Sequence, residues 1–277
     1  MSTAPLLAGV VGWPIAHSRS PRLHGHWLRR YRIDGYYIPI ALTPEDFAAG
    51  LRAAQALGFR GLNVTIPHKE AALALSTEAS PRAAAIGAAN TLTFGPDGAV
   101  HADNTDGYGF IANLRQHAPG WRAGAGPALV LGAGGSARAI VAALIAEGAP
   151  EVRVVGRTRP RAEALRAHFG ARIVVLDWAE RTDAASDAAT IVNATPLGMA
   201  SNTDLPLPLE GVPASALVTD LVYGGEPTPF VTAARQRGLT AVDGLGMLLH
   251  QAAPGFESWF GVPPVVDAEL RAAVLAE

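Results

Sequence analysis

The sequence predicts an α/β protein made of two domains, and three observations support this prediction. Short apolar runs alternate with segments of helical periodicity along almost the whole chain. The length of 277 residues suits two domains of ordinary size, and 49% hydrophobic against 17% charged residues supplies both with a core. A glycine-rich run joins a strand to a helix in the second half of the chain.

The composition argues against several other classes of protein. The net charge of −2 and the absence of a basic run give no support for a nucleic-acid partner. Without cysteine the chain has no disulfide, thiolate nucleophile or zinc–thiolate site, which fits a cytoplasmic protein. No apolar run approaches the ~20 residues of a membrane span, and the first residues lack the pattern of a signal peptide. We therefore expect a cytoplasmic protein with no membrane or nucleic-acid partner and no bound metal.

The first half of the chain has the pattern of strands that alternate with helices. Its predicted elements are strands 8–12, 36–41 and 61–66 and helices 21–30, 43–57, 68–75 and 81–86. Pro21 suits the first helical position of its helix, with Ser20 as the N-cap. Ser18 has no such structural explanation.

The segment from Asn63 to Lys69 holds the only lysine of the chain, since the other 21 of its 22 cationic residues are arginines. An ammonium can release a proton, whereas a guanidinium cannot, so a site of proton transfer retains lysine. Asn63 and Thr65 alternate on one face of a strand that Pro67 ends, and Pro67 can open the next helix. One lysine left by chance is the alternative, but the two polar side chains beside it favour a functional site.

A polar turn at 103–109 carries a second candidate, Asp106. This turn contains two glycines and lies between an apolar strand and a predicted helix 110–117. The alternative to a functional aspartate is a helix N-cap, which Thr105 or Asp106 can provide.

The second half of the chain, after a linker at 119–127, begins with a pattern typical of a dinucleotide site. Strand 128–131 runs into Gly132-Ala-Gly-Gly-Ser-Ala137, and a helix and the strand 152–155 follow. In this βαβ context, the glycines let the backbone approach a pyrophosphate at the helix N-terminus. A tight turn without a ligand is the alternative. The later predicted elements are strands at 172–176, 190–194, 217–221 and near 240, and helices around 247–251 and over 264–277.

The residues after strand 152–155 indicate which dinucleotide is bound. An NAD site usually has an acidic residue here for the ribose 2′-hydroxyl, but this chain has Gly156-Arg-Thr-Arg-Pro-Arg161. Arginines recognise phosphate by charge-assisted hydrogen bonds, so the loop favours the 2′-phosphate of NADP. A solvated basic loop is the alternative.

Seven motifs, in order and over the whole chain, resemble the shikimate dehydrogenase family. These motifs lie at 14–21, 63–69, 89–91, 104–107, 132–135, 157–158 and 243–251. The family reduces 3-dehydroshikimate to shikimate with NADPH, on the route to chorismate and the aromatic amino acids. The resemblance implies the same activity for this chain.

The resemblance also implies roles for individual residues. Lys69 and Asp106 would form the catalytic pair, with the lysine as proton donor to the ketone that receives a hydride. The implied substrate-binding residues are Ser18 and Ser20, for the carboxylate, and Thr65, Lys69, Asn90, Asp106, Tyr223 and Gln251. The implied NADP-binding residues are Gly132, Ala133, Gly134, Gly135, Ser136, Gly156, Arg157, Thr158, Arg161, Leu221, Gly244 and Met247. The family commonly has Asn in place of Gly156, and the extra charge of Arg159 is expected to compensate for that contact.

The fold implied by the resemblance is two α/β domains with a cleft between them. Residues 1–105 plus 244–277 would make the substrate-binding and catalytic domain. Residues 106–243 would make a Rossmann-type, doubly wound NADP-binding domain. Hinges near Thr105 and Gly244 would close the cleft and exclude water. We expect a monomer or a homodimer.

Three alternatives to this function stay open. A relative that prefers quinate or uses NAD is disfavoured by Ser20 and the arginine loop. A different two-domain NADP dehydrogenase with an analogous lysine, such as a methylene-tetrahydrofolate enzyme, is disfavoured by the Ser-x-Ser pair. A non-catalytic NADP-binding sensor is disfavoured by the intact pair of Lys69 and Asp106.

Overall fold

The computed structural model of the protein describes residues 4–199 and 204–276. The chain consists of two compact units, of which the first is Met1–Asp106 with Leu248–Glu277 and the second is Gly107–Met247. Over the described residues, each unit contains one six-stranded sheet. The two-domain α/β fold predicted from the alternation of strands and helices is confirmed.

The strands and helices follow one another along the chain in the order given next. They are β1 (Leu6–Gly12), α1 (Ser20–Arg30), β2 (Gly35–Ala41), α2 (Phe47–Ala56), β3 (Phe59–Val64), α3 (Lys69–Ala74), β4 (Glu78–Ala79), α4 (Pro81–Ile86), β5 (Thr91–Phe94), β6 (Val100–Asp103), α5 (Asp106–His117), β7 (Ala128–Leu131), α6 (Gly135–Ala146), β8 (Val152–Val155), α7 (Arg159–Phe169), β9 (Ile173–Leu176), α8 (Arg181–Ala185), β10 (Thr190–Asn193), β11 (Leu217–Asp220), α9 (Pro229–Gln236), β12 (Thr240–Val242), α10 (Leu245–Phe260) and α11 (Ala268–Leu275).

The sheet of the first unit is mixed, with the strand order β2-β1-β3-β5-β6-β4. β1 pairs in parallel with β2 and β3, whereas β5 runs antiparallel to β3 and β6. The hairpin β5–β6 was not predicted from the sequence. Its turn is Gly-Pro-Asp-Gly at 95–98, in which Gly98 has φ +85° and the Gly95 N–H donates to Ala99 O at 2.9 Å.

The sheet of the second unit is parallel throughout, with the order β12-β11-β10-β7-β8-β9. Alternate residues of β7 enter two different core clusters, Ala128 and Val130 in one and Leu129 and Leu131 in the other. Both faces of the sheet are therefore covered, which explains the unbroken apolar runs of its strands. The strand order reverses between β7 and β10, and ligands of doubly wound sheets bind at the carboxyl ends of the strands there.

Three helices begin about four residues away from the position that the sequence predicts. α5 begins at Asp106 rather than at residue 110, because Asn104 Oδ1 accepts from the Asp106 N–H at 3.2 Å. α11 begins at Ala268 rather than at residue 264, because the Asp267 side chain accepts from the Leu270 N–H. α2 begins at Phe47, after a turn. In the described part of the chain no helix has the length and apolar character needed to span a bilayer.

Candidate active site

The lysine and the aspartate noted in the sequence form a buried ion pair in the first unit. Lys69 is the first residue of α3 and Asp106 is the first residue of α5, and their exposed fractions are 8% and 5%. Lys69 Nζ donates a hydrogen bond to Asp106 Oδ2. Because both charges are largely removed from water, each depends on the other for compensation. The two residues are thus placed for joint action, and their catalytic role stays a prediction.

The side-chain amide of Asn90 holds the second oxygen of this carboxylate. Asn90 Nδ2 lies 2.8 Å from Asp106 Oδ1 and 3.0 Å from Gln251 Oε1 of α10. The same nitrogen lies 3.0 Å from Thr105 Oγ1, and Asn90 Oδ1 accepts from the Thr105 N–H at 2.8 Å. The structure therefore brings together four of the predicted substrate-binding residues: Lys69, Asn90, Asp106 and Gln251.

A second buried amide, Asn63 of β3, supports Asn90. Asn63 Nδ2 donates to Asn90 O and to Thr91 Oγ1, both at 3.2 Å, and Asn63 Oδ1 accepts from the Tyr37 hydroxyl at 2.7 Å. Because Asn90 O is a main-chain acceptor, it fixes the orientation of the Asn63 amide and makes Tyr37 the donor. Burial raises the pKa of Tyr37 well above its usual value, which keeps the phenol protonated for this bond. Tyr37 was not identified from the sequence, where its pattern is that of an ordinary strand residue.

The two serines have local roles that differ from those inferred from the sequence. The N-cap residue of α1 is Arg19 and Ser20 is already helical, so the prediction that Ser20 caps this helix is wrong. Arg19 has the helical backbone angles φ −88° and ψ −3°, which moves the start of the turn one residue earlier. Ser18 Oγ accepts from the Ser20 N–H at 3.3 Å instead. The buried Ser20 hydroxyl is not used in capping.

The glycine run of the second unit forms the loop between β7 and α6. Gly132 has φ +115°, and a Cβ there would lie 2.8 Å from Ala194 O, so the position requires glycine. Gly134 is the exposed N-cap of α6, and nothing lies within 4 Å of where its Cβ would be. The N-terminal N–H groups of α6 therefore have room for an anion, and a dinucleotide pyrophosphate fits this loop. The half-exposed residues beside it are Ala133, Gly135 and Ser136.

The loop after β8 carries three arginines, and the structure separates them into two kinds. Arg159 Nη1 bonds Asp177 Oδ1 at 2.6 Å, and its guanidinium also lies 3.3 Å from Glu163 Oε1. The charge of Arg159 is thus already matched, which argues against its compensating for the missing side chain at Gly156. Arg157 and Arg161 are exposed, and neither has an ion pair with any residue in the described ranges. These two guanidinium groups, with the exposed Thr158 between them, are available to a phosphate.

The other predicted binding residues lie at strand ends or in the core. Leu221 and Gly244 follow β11 and β12, and a Cβ on Gly244 would lie 2.5 Å from Leu221 O. Met247 is buried in a core cluster of the second unit, and Tyr223 is half-buried. Thr65 is half-buried directly after β3. The binding roles of these five residues stay predictions.

A buried carboxylate that was not identified from the sequence lies at the carboxyl end of β11. Asp220 Oδ1 accepts from Asn193 Nδ2 at 2.8 Å and from the Val222 N–H at 2.9 Å. Asp220 Oδ2 accepts from Thr228 Oγ1 at 2.7 Å. All three donors are neutral, and burial raises the pKa of Asp220 to about 6. Through these hydrogen bonds the carboxylate connects the segments that follow β10 and β11. In the sequence, the only indication of a buried aspartate here was a single acidic residue at the end of an apolar strand.

These features define the class of protein. The second unit has a doubly wound parallel sheet, a glycine loop that fits a pyrophosphate, and exposed arginines that suit a 2′-phosphate. The first unit has a buried lysine–aspartate pair that is suited to proton transfer. This combination is that of an NADP-dependent dehydrogenase.

Comparison with known proteins identifies the family. The model of the shikimate dehydrogenase substrate binding domain matches residues 10–92, that of shikimate/quinate 5-dehydrogenase matches residues 122–199, and that of the shikimate 5′-dehydrogenase C-terminal domain matches residues 244–272. A shikimate dehydrogenase (NADP(+)) of Paracoccus denitrificans is 61% identical over 270 residues, which cover 98% of this chain and 96% of the relative. The chain belongs to the shikimate dehydrogenase family.

Solved structures of related enzymes have the same fold. Shikimate 5-dehydrogenase from Thermus thermophilus, solved in complex with NADP(H) and shikimate, is 39% identical with a TM-score of 0.85 over 97% of this chain and 98% of that chain. Quinate dehydrogenase from Corynebacterium glutamicum, in complex with NAD, is 30% identical with a TM-score of 0.90 over 98% of this chain and 99% of that chain. The fold alone thus does not distinguish between these two activities.

The raised pKa of Asp220 predicts how Asp220→Asn affects stability. A folded-state pKa of about 6 lies above the ordinary ~3.9, so this group makes the parent less stable as the pH rises from about 4 to 6. Asparagine keeps the shape of the aspartate side chain but carries no charge. Its side-chain N–H can donate to the Thr228 hydroxyl, which then accepts the hydrogen bond that it donates in the parent. We expect the variant to exceed the parent in unfolding free energy by up to about 3 kcal/mol at pH 7.5, and by less at pH 5. Urea denaturation at both pH values measures the difference.

Asp187→Asn is the matched control for this prediction. The Arg153 guanidinium bonds the Asp187 carboxyl and lowers its pKa, so its stabilising contribution is present at neutral pH and lost as the pH falls. This control should show no gain in stability at pH 7.5. An Asp220→Asn gain of equal size at both pH values would contradict the assignment of a costly buried charge.

Proposed function

We propose that this protein is an NADP-dependent oxidoreductase that reversibly reduces 3-dehydroshikimate to shikimate, in the biosynthesis of chorismate and the aromatic amino acids. Relatives named shikimate dehydrogenase (NADP(+)) support the reaction, among them the Paracoccus denitrificans protein at 61% identity. The single structural observation that carries the proposal is the buried pair of Lys69 and Asp106, with Asn90 on the second carboxylate oxygen. A sensor that only binds NADP would have no need of such a pair.

The substrate-binding and catalytic domain of the proposal is residues 1–105 plus 244–277, and two of its substrate-binding residues, Asp106 and Tyr223, come from outside these ranges. The hydroxyls of Ser18 and Ser20 hold the substrate carboxylate. The groups that bind the rest of the substrate are Thr65, Lys69, Asn90, Asp106, Tyr223 and Gln251. The proposal for NADP uses residues 106–243, in which the glycine loop receives the pyrophosphate and Arg157, Thr158 and Arg161 receive the 2′-phosphate. Further contacts come from Gly156, Leu221, Gly244 and Met247.

The chemistry assigned to this chain is proton transfer. NADPH, when bound, supplies the hydride that reduces the ketone carbon. Lys69 then stabilises the negative charge that develops on the ketone oxygen and gives that oxygen a proton. An ammonium has three N–H groups, and Asp106 uses one of them, so two are available to the substrate. In the oxidising direction the same lysine accepts the proton.

Asp106 orients the lysine in this mechanism. Its Oδ2 holds the ammonium, and its Oδ1 is fixed by Asn90, so the carboxylate cannot rotate away from Lys69 without losing both bonds.

An assay with two substrates and two cofactors tests the function. The absorbance of NADPH or NADH is followed with shikimate and with quinate, each with NADP and with NAD. We expect the highest kcat/KM for shikimate with NADP. Faster turnover of quinate with NAD would favour the alternative relative, and no turnover of either substrate would contradict the proposal.

The location and the oligomeric state are also proposals. We propose a cytoplasmic enzyme, because the reaction uses NADPH and the chain has no cysteine for extracellular disulfides. We propose a monomer or a homodimer, which light scattering after gel filtration distinguishes.

The Lys69→Ala variant should lose most turnover and keep NADP binding. Loss of a general acid typically costs ~10²–10⁴-fold in rate. Lys69→Arg should fail as well, because a guanidinium keeps the charge but does not release the proton. Steady-state kcat and NADP binding by fluorescence are the measurements. A kcat near that of the parent in either variant would show that Lys69 is not the proton donor.

The Arg157→Ala variant should weaken binding of NADP much more than binding of NAD. A hydrogen bond to a charged group is worth roughly 1.5–3 kcal/mol, which is about one to two decades of affinity. Arg159→Ala is the matched control from the same loop, because its guanidinium is already paired with Asp177 and Glu163. Calorimetric titration gives both affinities. Equal losses for NADP and NAD would mean that Arg157 does not contact the 2′-phosphate.

The Ser20→Ala variant should raise KM for shikimate by up to roughly tenfold, the worth of one hydrogen bond. Its melting temperature should stay close to that of the parent, because Ser20 does not cap α1. Ser18→Ala should raise KM too, but it also removes the acceptor of the Ser20 N–H, so its melting temperature is needed beside its kinetics. If both variants keep the parental KM, the carboxylate binds elsewhere.

A further inference from the structure

Arg19 connects the turn of Ser18 and Ser20 to the end of the chain. Arg19 Nη1 donates a hydrogen bond to Val274 O at 2.8 Å, although the two residues are 255 positions apart. Over residues 4–199 and 204–276, this is the only hydrogen bond between segment 14–19 and a residue distant in sequence. The hydrogen-bonded attachment of the turn is therefore this bond to Val274, beside the packing of the buried Ile15 side chain.

Val274 is a favourable acceptor for this guanidinium. It lies in the last turn of α11, where main-chain carbonyls lack intrahelical partners and carry the negative end of the helix dipole. The residue is fully buried and Arg19 is half-buried, so solvent screens their hydrogen bond only in part. A charge-assisted bond in such a place holds the Arg19 side chain in a single direction.

The other end of α11 is fixed independently. Asp267 caps the helix through the Leu270 N–H at 3.0 Å, and its Oδ2 accepts from Arg30 Nη1 at 2.7 Å. Arg30 is the last residue of α1, whereas Arg19 directly precedes that helix. The two arginines thus bond opposite ends of α11 from opposite ends of α1. Of the two, only Arg19 belongs to the turn that contains Ser18 and Ser20.

We infer that Arg19 is a positioning residue for substrate binding. Its hydrogen bond to Val274 of α11 holds the turn of Ser18 and Ser20 in place. The inference rests on the proposed function, because it takes the two serines to bind the substrate carboxylate. Both hydroxyls must be held in place for that contact. The bond from Ser20 N–H to Ser18 Oγ spans the Arg19 residue, so this bond keeps its geometry only while the Arg19 backbone keeps its turn.

Arg19→Met and Arg30→Met form a matched pair of variants that test this role. Each removes one guanidinium between α1 and α11 and keeps a long apolar side chain, and the 11 residues of α1 separate the two sites by about 16 Å. Arg19→Met should raise KM for shikimate roughly tenfold, about the effect of one lost hydrogen bond. Its KM for NADP and its kcat should change little. Arg30→Met should leave all three parameters as in the parent.

Hydrogen–deuterium exchange of the peptide that contains Ser18 and Ser20 gives a second reading that does not depend on activity. Without ligand, exchange at these amides should be faster in Arg19→Met and unchanged in Arg30→Met. Parental KM and parental exchange in Arg19→Met would overturn the inference. A raised KM with unchanged exchange would also overturn it, because Arg19 would then contact the substrate itself. Absence of shikimate turnover in the parent would contradict the proposed function instead, and the exchange comparison would still decide whether Arg19 holds the turn.

Discussion

The burial of one ion pair is the constraint on which the first unit depends. Lys69 and Asp106 are both removed from water, and removing one partner of such a pair typically costs about 3–5 kcal/mol, because the other charge is left buried and uncompensated. The carboxylate needs a donor on each oxygen, so Asn90 must stand opposite the lysine. Asn90 in turn needs Thr105 and Asn63 for its own amide and main-chain oxygen. Strands β3 and β5 and the first turns of α3 and α5 therefore have little freedom to shift separately.

Among the described residues, two aspartates are buried, and they show how hydrogen-bond partners decide what a carboxylate can do. Asp106 faces a cation and an amide, so its charge is balanced and can serve a lysine that gains and loses a proton. Asp220 has three neutral donors, and burial raises its pKa to about 6. That environment makes its charge costly at neutral pH. Asp220 is suited to a structural role, because it accepts hydrogen bonds from the segments that follow β10 and β11. Asp106 is suited to supporting proton transfer by Lys69.

Features that depend on local chemistry could be predicted from the sequence, and features that depend on distant partners could not. The alternation of strands and helices follows from the periodicity of apolar residues along the sequence. The glycine run was recognised by its composition, and the positive φ of Gly132 is the local reason for glycine at that position. Lys69 was conspicuous as the only lysine. Asp220 was missed because its amide partner is 27 residues away in sequence. The capping role given to Ser20 was wrong because Arg19 adopts helical angles, a choice among backbone conformations that residue types alone do not determine.

The choice of lysine over arginine at position 69 is itself evidence about function. Each arginine ion pair among the described residues has at least one half-exposed or exposed side chain, whereas Lys69 and Asp106 are both buried. If stability alone decided, a guanidinium would suit a buried carboxylate better, because it can donate two parallel hydrogen bonds. A chain that uses arginine for its other 21 cations has no evident compositional bias toward lysine. What lysine adds at this position is a proton that it can release, and a site for proton transfer to a ketone oxygen needs that property.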